Sequence, residues 1–415
     1  MSAFNNAAAG DQNIKQEVRH WLAQRGLSVT GPGVMRDTDG KRVPIPSVVL
    51  DWRLAKLANV AAGQGISEGL REVALEKVIV EDLEALMAAK LATVAYNPEQ
   101  VANGAEQLTL WLRGATGSDN IDELNFYSAI IKHYIWQVKR KAARLPVTYH
   151  LCPLLVGGQG TGKTTAVNRL NSPLATFTIK GRPVDEIIDP RNYLTLSENL
   201  IVFLDEMGRA KNACIDHLKT IITADSIDYR PMRTNSIVRV EQSCTFIGAS
   251  NKELKNVISD ITGMRRFSQL NCVQVAASDE RHVMVNSADI VAIWQSVNEL
   301  QELPYTAAIK EQLATHQEDL RTQSTIEEFL ANCMGAPGEQ RVAATPLYQE
   351  YSEFCRTSNL YALSSPVFFR ELSKTLGFEK IRNSVGTFYL VNDGLYSKVN
   401  HSTIGLSGKS SVIGD

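Results

Sequence analysis

An apolar run, a glycine-rich loop and a helical pattern follow one another between residues 152 and 170, and this order constrains the fold more than any other feature. The loop at 157–164 reads GGQGTGKT, which fits the phosphate-binding pattern G-x-x-x-x-G-K-[ST]. Residues 152–156 are typical of a buried strand, and residues 166–170 are typical of a helix. Strand, loop and helix in this order predict an α/β core that holds phosphate at the N-terminus of the helix.

The residue types of the loop indicate how it would hold a nucleoside triphosphate. Glycines allow consecutive backbone N–H groups to converge on phosphate oxygens, while Lys163 can reach the β- and γ-phosphates. The Thr164 hydroxyl is a predicted ligand of Mg²⁺. A chance glycine-rich turn is the alternative, and the flanking strand and helix disfavour it. The residues predicted to bind ATP are Gly157, Gly158, Gln159, Gly160, Thr161, Gly162, Lys163, Thr164 and Thr165.

Two more apolar runs end in polar side chains, as expected for parallel strands that open at one ligand crevice. Residues 200–206 end in Asp205, predicted to hold Mg²⁺, and Glu206, predicted to polarise the attacking water. Residues 245–251 end in Asn251, predicted to hydrogen-bond the γ-phosphate or that water. The alternative for Asn251 is an ordinary turn residue at the end of a strand. The chain order of the three strands favours the catalytic interpretation.

Arg265 and Arg266 follow a glycine turn at residue 263, and adjacent arginines are costly to bury without anions. We predict that one of them is an arginine finger, whose guanidinium stabilises transition-state charge on a nucleotide bound by a neighbouring subunit. This prediction requires a ring, because the pair lies far from the loop in sequence. An exposed basic turn, or an ion pair with Asp260, is the alternative.

The composition is that of an ordinary globular protein, with 44% hydrophobic and 21% charged residues among 415. The formal net charge of −2 excludes a bulk basic field, so any nucleic-acid contact must come from local basic patches. Six cysteines occur singly without a C-x-x-C pair, which disfavours a zinc ribbon or a disulfide framework. Neither a signal-peptide pattern nor an apolar run of bilayer length is present, which predicts a cytoplasmic protein without a membrane partner.

Helical periodicity and turn signals divide the chain into predicted regions. These are a mainly helical N-terminal domain at 1–104, a helical lead-in at 105–149, an α/β ATPase core at 150–285, a helical connector at 286–324, a winged-helix domain at 325–395 and a flexible tail at 396–415. In the N-terminal domain, residues 1–12 are expected to be frayed, 14–25 to be helical, and 31–33 and 37–41 to form turns.

A basic cluster ends the helix predicted at 125–144, just before the strand that leads into the loop. Two interpretations are equally open: these cations meet phosphate, or they form a solvated helix face near a domain junction. The members of the cluster are Lys139, Arg140, Lys141 and Arg144.

The motifs taken together carry a family resemblance. They lie at 135–141, 157–164, 203–206, 218–220, 246–251 and 262–267. In this order they resemble the virulence-associated E family of phage and mobile-element ATPases, which is similar to superfamily 3 helicases and to the helicase half of phage and poxvirus primase-helicases. The resemblance covers roughly residues 105–275 and, more loosely, 325–395. Family members often carry a primase domain ahead of these motifs, and residues 1–104 show no such pattern.

The resemblance implies an AAA+ hexamer that threads one DNA strand through a central pore and serves replication of a phage or mobile element in a bacterial cell. ATP and Mg²⁺ are the implied cofactors, and the implied partners are DNA, further subunits, and phage or host replication proteins. A pore segment is implied at 216–239, where cations are interleaved with Tyr229. Alternatively, some of these cations pair with Asp225, Asp228 or Glu241. The residues predicted to contact DNA are Lys219, Arg230, Arg233 and Arg239.

The C-terminal region resembles the winged-helix domain that follows the helicase in phage primase-helicases. Residues 346–355 predict one helix, a second begins near Pro366, and 380–392 predict a two-stranded wing with Gly386 in its turn. A winged helix that binds protein, or is merely structural, is the alternative to one that binds DNA. The cations that would face DNA are Arg370, Lys374, Lys380 and Arg382.

The predicted function is that of an ATP-dependent DNA helicase or translocase. One alternative is an ATP-dependent initiator or loader that binds an origin without processive unwinding. Another is a regulatory ATPase that acts on a protein partner, which a lack of stimulation by DNA would favour.

Overall fold

A computed structural model describes residues 2–45, 47–52, 68–207, 212–230, 237–257, 264–273, 281–302, 307–319, 326, 328–330, 340–358, 362–374, 378–383 and 386–391. The chain divides into two compact units, Met1–Arg321 and Thr322–Asp415. Among the described helices, none is long and apolar enough to cross a bilayer. The tail predicted at 396–415 lies outside the described residues.

The N-terminal part of the first unit combines two long helices with a small antiparallel sheet. Its elements are α1 (Ser2–Gln24), β1 (Ser28–Gly31), β2 (Val34–Arg36), β3 (Arg42–Pro44) and α2 (Glu68–Thr93). They enclose a separate apolar core, in which the rings of Trp21 and Trp52 meet edge to face with centroids 4.9 Å apart.

The prediction of a mainly helical N-terminal domain missed this sheet, because strands of three or four residues are too short to show alternation. The predicted turns at 31–33 and 37–41 are present, with Gly33 and Gly40 in the left-handed region. The prediction of frayed residues at 1–12 is wrong, since α1 begins at Ser2. The three consecutive alanines at 7–9 have the highest helix propensity, which accounts for this start.

The centre of the first unit is a five-stranded parallel sheet with the strand order β10-β4-β9-β6-β5. A two-stranded antiparallel hairpin, β7 and β8, is inserted in the chain between β6 and β9. The strands are β4 (Cys152–Val156), β5 (Thr178–Ile179), β6 (Ile201–Leu204), β7 (Ser226–Tyr229), β8 (Val238–Glu241), β9 (Thr245–Ser250) and β10 (Phe267–Asn271).

Helices cover both faces of this sheet. They are α3 (Val101–Thr116), α4 (Ile121–Ala142), α5 (Lys163–Leu170), α6 (Val184–Ile187), α7 (Tyr193–Glu198), α8 (Asn212–Thr223), α9 (Leu254–Val257), α10 (Arg281–Ser287), α11 (Ile290–Gln295) and α12 (Ala307–Asp319). Successive residues of β4 enter different cores: Leu155 packs with α3, α4 and α11, whereas Leu154 packs with α6 to α9. Burial on both faces explains why these strands are continuous apolar runs, and the predicted α/β core is confirmed.

The predicted lead-in and connector share one helical layer. Helix α3 packs against α10 and α11, and an added Cβ at Gly104 would lie 2.5 Å from the Ala292 carbonyl oxygen. The indole N–H of Trp294 donates to the Leu170 carbonyl at 2.8 Å, which ties α11 to the helix of the phosphate loop. Helix α4 begins at Ile121, earlier than the predicted residue 125, because the Asn120 side chain caps it.

Both interpretations of the basic cluster at the end of α4 are wrong for Lys139 and Lys141. Lys139 is 5% exposed and donates to the Val297 carbonyl at 2.8 Å, and Lys141 donates to the Cys244 carbonyl at 2.8 Å. Burial lowers the pKa of each lysine to about 8. Arg144 does face solvent. The lysines therefore satisfy backbone carbonyls of other segments, a role that neither interpretation included.

The second unit joins two helices to a three-stranded antiparallel sheet with the order β11-β13-β12. Its elements are β11 (Gln340–Ala343), α13 (Ala344–Thr357), α14 (Ser365–Lys374), β12 (Glu379–Asn383) and β13 (Gly386–Val391). The predicted pair of helices and hairpin are present. Gly386 opens β13, and the turn residues 384–385 lie outside the described residues. Strand β11 was missed, and the winged-helix assignment stays a prediction.

Candidate functional site

The glycine-rich loop forms an open cradle between β4 and α5. Gly160 and Gly162 have φ values of 84° and 80°, which glycine adopts without steric cost. A Cβ added at either position would meet no described atom within 4 Å. The loop borders a cavity of about 270 Å³. The residues lining this cavity are Gln159, Gly160, Thr161, Gly162, Lys163, Thr164, Thr165, Asp205, Glu206, Ala249, Ser250 and Asn251.

The Lys163 ammonium lies inside the cradle. It donates to the carbonyl oxygens of Gly157 at 2.8 Å and Gly158 at 2.7 Å, and to the Thr161 hydroxyl at 3.1 Å. The side chain is buried, and burial lowers the pKa of Lys163. A multidentate donor next to an open loop at a helix N-terminus fits a phosphate group.

Thr164 and Asp205 face each other across the cavity. The Thr164 hydroxyl lies 3.4 Å and 3.5 Å from the two carboxylate oxygens of Asp205. Asp205 directly follows β6, and its Oδ1 accepts the backbone N–H of Glu206 at 3.0 Å. A hydroxyl and a carboxylate are the oxygen ligands that Mg²⁺ prefers, so this pair fits a magnesium ion that also contacts phosphate.

Glu206 adopts a left-handed backbone conformation with φ 55°. This region costs an ordinary residue about 1 kcal/mol, and such strain concentrates at functional sites. The residue is exposed at the cavity, directly after the magnesium-ligand candidate Asp205. The turn gives a carboxylate next to the phosphate cradle, as a general base requires.

The sheet order brings the predicted residues of the ATPase site together. Strand β9 lies between β4 and β6, with Ser250 opposite Val156, so Asn251 follows β9 at the same edge as the loop. The Gly157 N–H donates to the Ser250 carbonyl at 3.2 Å, which joins the loop to this strand end. Lys163, Thr164, Asp205, Glu206 and Asn251 thus share one cavity, while their chemical roles stay predictions.

The structure does not bring Arg265 and Arg266 to this cavity. They precede β10, whose first residue Phe267 lies opposite Cys152 at the start of β4. The loop leaves the other end of β4, about 13 Å away along a five-residue strand. The alternative partner Asp260 lies outside the described residues. The role of either arginine as a finger therefore stays a prediction.

The four residues predicted to contact DNA differ in exposure and in their ion pairs. Lys219 is buried and pairs with Asp216 at 2.8 Å, so it presents no surface charge to DNA, contrary to the prediction. Arg239 pairs with Asp228 across the β7–β8 hairpin at 2.8 Å, as the alternative interpretation allowed. Arg230 is exposed. Arg233 lies outside the described residues.

A second cavity, which the sequence did not reveal, adjoins the magnesium-ligand candidates. It measures about 320 Å³ and is lined by residues 181–185 together with Asp205 and Glu206. Arg182 is half-buried there, between Gly181 in a left-handed turn and a proline. The Gly-Arg-Pro sequence marks a turn, but no local pattern indicated that this turn lies beside β6.

The comparisons define the class of protein. A family model described as the virulence-associated protein E-like domain matches residues 103–325, more than half of the chain. The chain therefore belongs to the virulence-associated protein E-like family, as the ordered motifs predicted.

Among solved structures, the chain is similar to the apo form of the NrS-1 C terminal region, with 17% identity, 72% of this chain and 76% of that chain covered, and a TM-score of 0.41. It is also similar to JCV helicase, with 12% identity, 66% of this chain and 81% of that chain covered, and a TM-score of 0.28. No curated protein matches the chain. The family assignment rests on the family model.

Proposed function

We propose that this protein is a ring-forming ATPase that couples ATP hydrolysis to unwinding of DNA, or to movement along it, in the replication of a phage or mobile element. One observation carries the proposal: Lys163, Thr164, Asp205, Glu206 and Asn251 line a single cavity at the carboxyl ends of three adjacent parallel strands. Membership in the virulence-associated protein E-like family supports the same class of function.

Each residue of the cavity has a role that its position supports. Lys163 and the loop N–H groups would hold the β- and γ-phosphates, and Thr164 with Asp205 would hold Mg²⁺. Bound magnesium ATP supplies the phosphoryl group that is transferred to water. Glu206 would orient that water and accept its proton, and Asn251 would donate a hydrogen bond to it or to the γ-phosphate.

The hairpin formed by β7 and β8 is the proposed contact with a DNA strand. It follows α8 in the chain, after Asp205 at the catalytic end of β6, and it leads into the start of β9, whose far end precedes Asn251. Arg239 is 72% exposed, and its ion pair with Asp228 can exchange for a phosphate at little cost. Arg230 is exposed on the same segment.

Replacing the buried lysine tests the ATPase assignment. Lys163→Ala should abolish ATP turnover while leaving the thermal unfolding midpoint close to that of the natural protein. Lys310→Ala, which removes an exposed cation on α12, is the matched control and should keep full turnover. Undiminished turnover in Lys163→Ala would sink the assignment. Strand displacement on forks with 3′ or 5′ tails then tests unwinding, and images of negatively stained particles test the ring.

The second candidate function is an origin-binding initiator or loader without processive unwinding. The exposed cations Arg370, Lys380 and Arg382 of the second unit favour it, because they accompany two helices and a hairpin suited to duplex contact. Salt-dependent duplex binding without displacement of a labelled strand would support this candidate over the helicase.

A further inference from the structure

We infer that Tyr149 and Gln317 are positioning residues that fix the backbone of Arg265, and that Arg265 is the arginine that acts on the nucleotide of a neighbouring subunit. The inference rests on the proposed ATPase function and deepens it. It assigns the finger to one of two adjacent arginines and names the side chains that hold it, neither of which the sequence motifs include.

Two side chains from distant parts of the chain donate to one carbonyl group. The Tyr149 hydroxyl donates to the Arg265 carbonyl at 2.9 Å, and the Gln317 amide donates to the same oxygen at 3.1 Å. The Gln317 amide also donates to the Phe267 carbonyl at 2.9 Å. Gln317 thereby bridges the short helical turn that holds Arg265 and the first residue of β10. Both lone pairs of the Arg265 carbonyl have donors, which restricts rotation of its peptide.

Tyr149 is itself anchored to α4. The imidazole of His133 hydrogen-bonds the Tyr149 carbonyl at 2.9 Å and stacks on the Trp136 ring with centroids 5.2 Å apart. Burial lowers the pKa of His133 to about 4, so the ring is neutral at pH 7 and its Nε2–H is the donor. Burial also raises the pKa of Tyr149, so the hydroxyl stays protonated and can donate.

Gln317 lies on α12, which is itself anchored to β10. Its neighbour His316 hydrogen-bonds the Gln269 carbonyl at 3.1 Å, and the His316 ring packs against Phe126 with centroids 5.3 Å apart. Helix α12 therefore contacts β10 at two alternate carbonyls, those of Phe267 and Gln269. The Arg265 backbone is held between this helix and the segment before β4.

The side chains of the two arginines differ in exposure. Arg265 is exposed and makes no ion pair with any described residue, whereas Arg266 is half-buried. A guanidinium that acts on another subunit must reach outward from a fixed backbone. Of the two arginines, Arg265 combines an exposed side chain with a carbonyl held by two side-chain donors.

Fixing the backbone matters because transition-state stabilisation depends on position. An arginine finger contributes on the order of 10³-fold or more to hydrolysis, and a displacement of about 1 Å can cost on the order of 10²-fold. Removing both donors should therefore lower kcat without changing the nucleotide-binding loop, which lies at the far end of β4.

The test removes the two donors and keeps the side-chain shapes. In Tyr149→Phe/Gln317→Met, we expect kcat for ATP to fall by about 10- to 100-fold, with KM for ATP, affinity for ADP and sedimentation of the assembled ring unchanged. Affinity for ADP–aluminium fluoride, which mimics the transition state, should fall in parallel. Gln312→Met changes an exposed glutamine on the same helix and should leave all of these values unchanged.

Subunit mixing separates a displaced finger from general damage. Subunits that carry Tyr149→Phe/Gln317→Met retain their own phosphate loop, so mixing them with Lys163→Ala subunits, which retain the finger, should restore hydrolysis. Arg265→Ala subunits should be rescued in the same way. Failure of Lys163→Ala subunits to rescue the double variant would overturn the positioning role.

Single variants distinguish failure of this inference from failure of the proposed function. If Lys163→Ala abolishes turnover but Arg265→Ala does not, the ATPase stands and the finger assignment falls. If Arg265→Ala loses turnover while the double variant keeps it, Arg265 stands and the positioning role of Tyr149 and Gln317 falls.

Discussion

At the scale of single residues, the nucleotide cavity depends on two backbone positions with opposite demands. Glu206 carries a full side chain in a left-handed conformation at φ 55°, where glycine would be unstrained. At Gly157 an added Cβ would lie 2.2 Å from the Cys272 carbonyl oxygen, so this position requires glycine. Residue 206 thus carries a side chain although its backbone conformation favours glycine. Residue 157, where the loop leaves β4, lacks a side chain because the neighbouring backbone leaves no space for one.

Comparing two variants at residue 206 measures the strain. Both Glu206→Gly and Glu206→Ala remove the carboxylate and should lose ATP turnover. Glu206→Gly should have a free energy of unfolding about 1 kcal/mol higher than Glu206→Ala, because only glycine relieves the left-handed strain. Urea unfolding of the two variants checks this difference. Equal stabilities would show that the conformation costs nothing.

Adjacent glycines provide a matched pair for the loop. Gly157→Ala should lower the free energy of unfolding by about 1–3 kcal/mol, because its Cβ would overlap a backbone oxygen that cannot easily move. Gly158→Ala should stay within about 0.5 kcal/mol of the natural protein, since a Cβ there meets no described atom within 4 Å. Urea unfolding measures both, and similar losses would contradict the close approach of Cys272.

At the scale of elements, helix α4 links the sheet edge to the arginine candidates. Its N-terminus is capped by Asn120, and His133 in its middle holds the segment before β4. Lys139 and Lys141 near its end satisfy carbonyl groups of other segments. The helix therefore works as a scaffold across one face of the sheet: Tyr127 accepts the Asn271 N–H at the end of β10 on the cavity side, and Lys141 reaches the opposite edge.

Protonation of the scaffold histidines predicts a pH dependence of stability. Burial lowers the pKa of both His133 and His150 to about 4. The unfolded chain, with histidine pKa values near 6.5, then binds more protons between about pH 6.5 and 4. Stability is complete above about pH 6.5 and is lost as pH falls toward 4, by on the order of 3 kcal/mol for the fully buried His133.

A variant isolates the contribution of His133. His133→Gln keeps an N–H donor for the Tyr149 carbonyl but does not titrate, so its free energy of unfolding should depend less steeply on pH than that of the natural protein between pH 6.5 and 4. Urea unfolding at several pH values measures the two slopes. Identical slopes would show that His133 does not resist protonation in the folded state.

At the scale of the whole molecule, the two compact units offer different chemistry. The first, Met1–Arg321, holds the nucleotide cavity, the hairpin and the arginine candidates. The second, Thr322–Asp415, exposes cations on α14 and β12. ATP hydrolysis and duplex binding should therefore respond to separate sets of substitutions.

Substitutions in the second unit test that separation. Lys380→Ala/Arg382→Ala should weaken duplex binding and reduce the dependence of log Kd on log salt by about one for each phosphate that is no longer bound. ATP turnover measured without DNA should be unchanged. Binding titrations at several salt concentrations provide the measurement, with Lys310→Ala as control. Unaltered binding would remove these cations from the duplex interface.

Local sequence patterns predicted three of the five parallel strands, β4, β6 and β9, and the cavity that they share, but not β5 or β10. Apolar runs ending in Asp205, Glu206 and Asn251 could be placed together because the carboxyl ends of adjacent parallel strands meet at one edge. The glycines of the phosphate loop indicate its conformation, because glycine adopts positive φ values without steric cost. In the N-terminal part and the second unit, β1 to β3 and β11 escaped prediction because three or four residues show no clear period.

The sequence alone determined the family, three strands of the α/β core and most of the residues that line the nucleotide cavity, because each motif is a pattern within a few neighbouring residues. Only the tertiary structure decided that Lys139, Lys141 and Lys219 bond within the protein, and that Tyr149 and Gln317 meet at the Arg265 carbonyl. Such contacts join segments distant in the chain, or depend on burial by such segments. The residue type determines which hydrogen bonds and ion pairs a side chain can make, while packing determines which partner the side chain reaches.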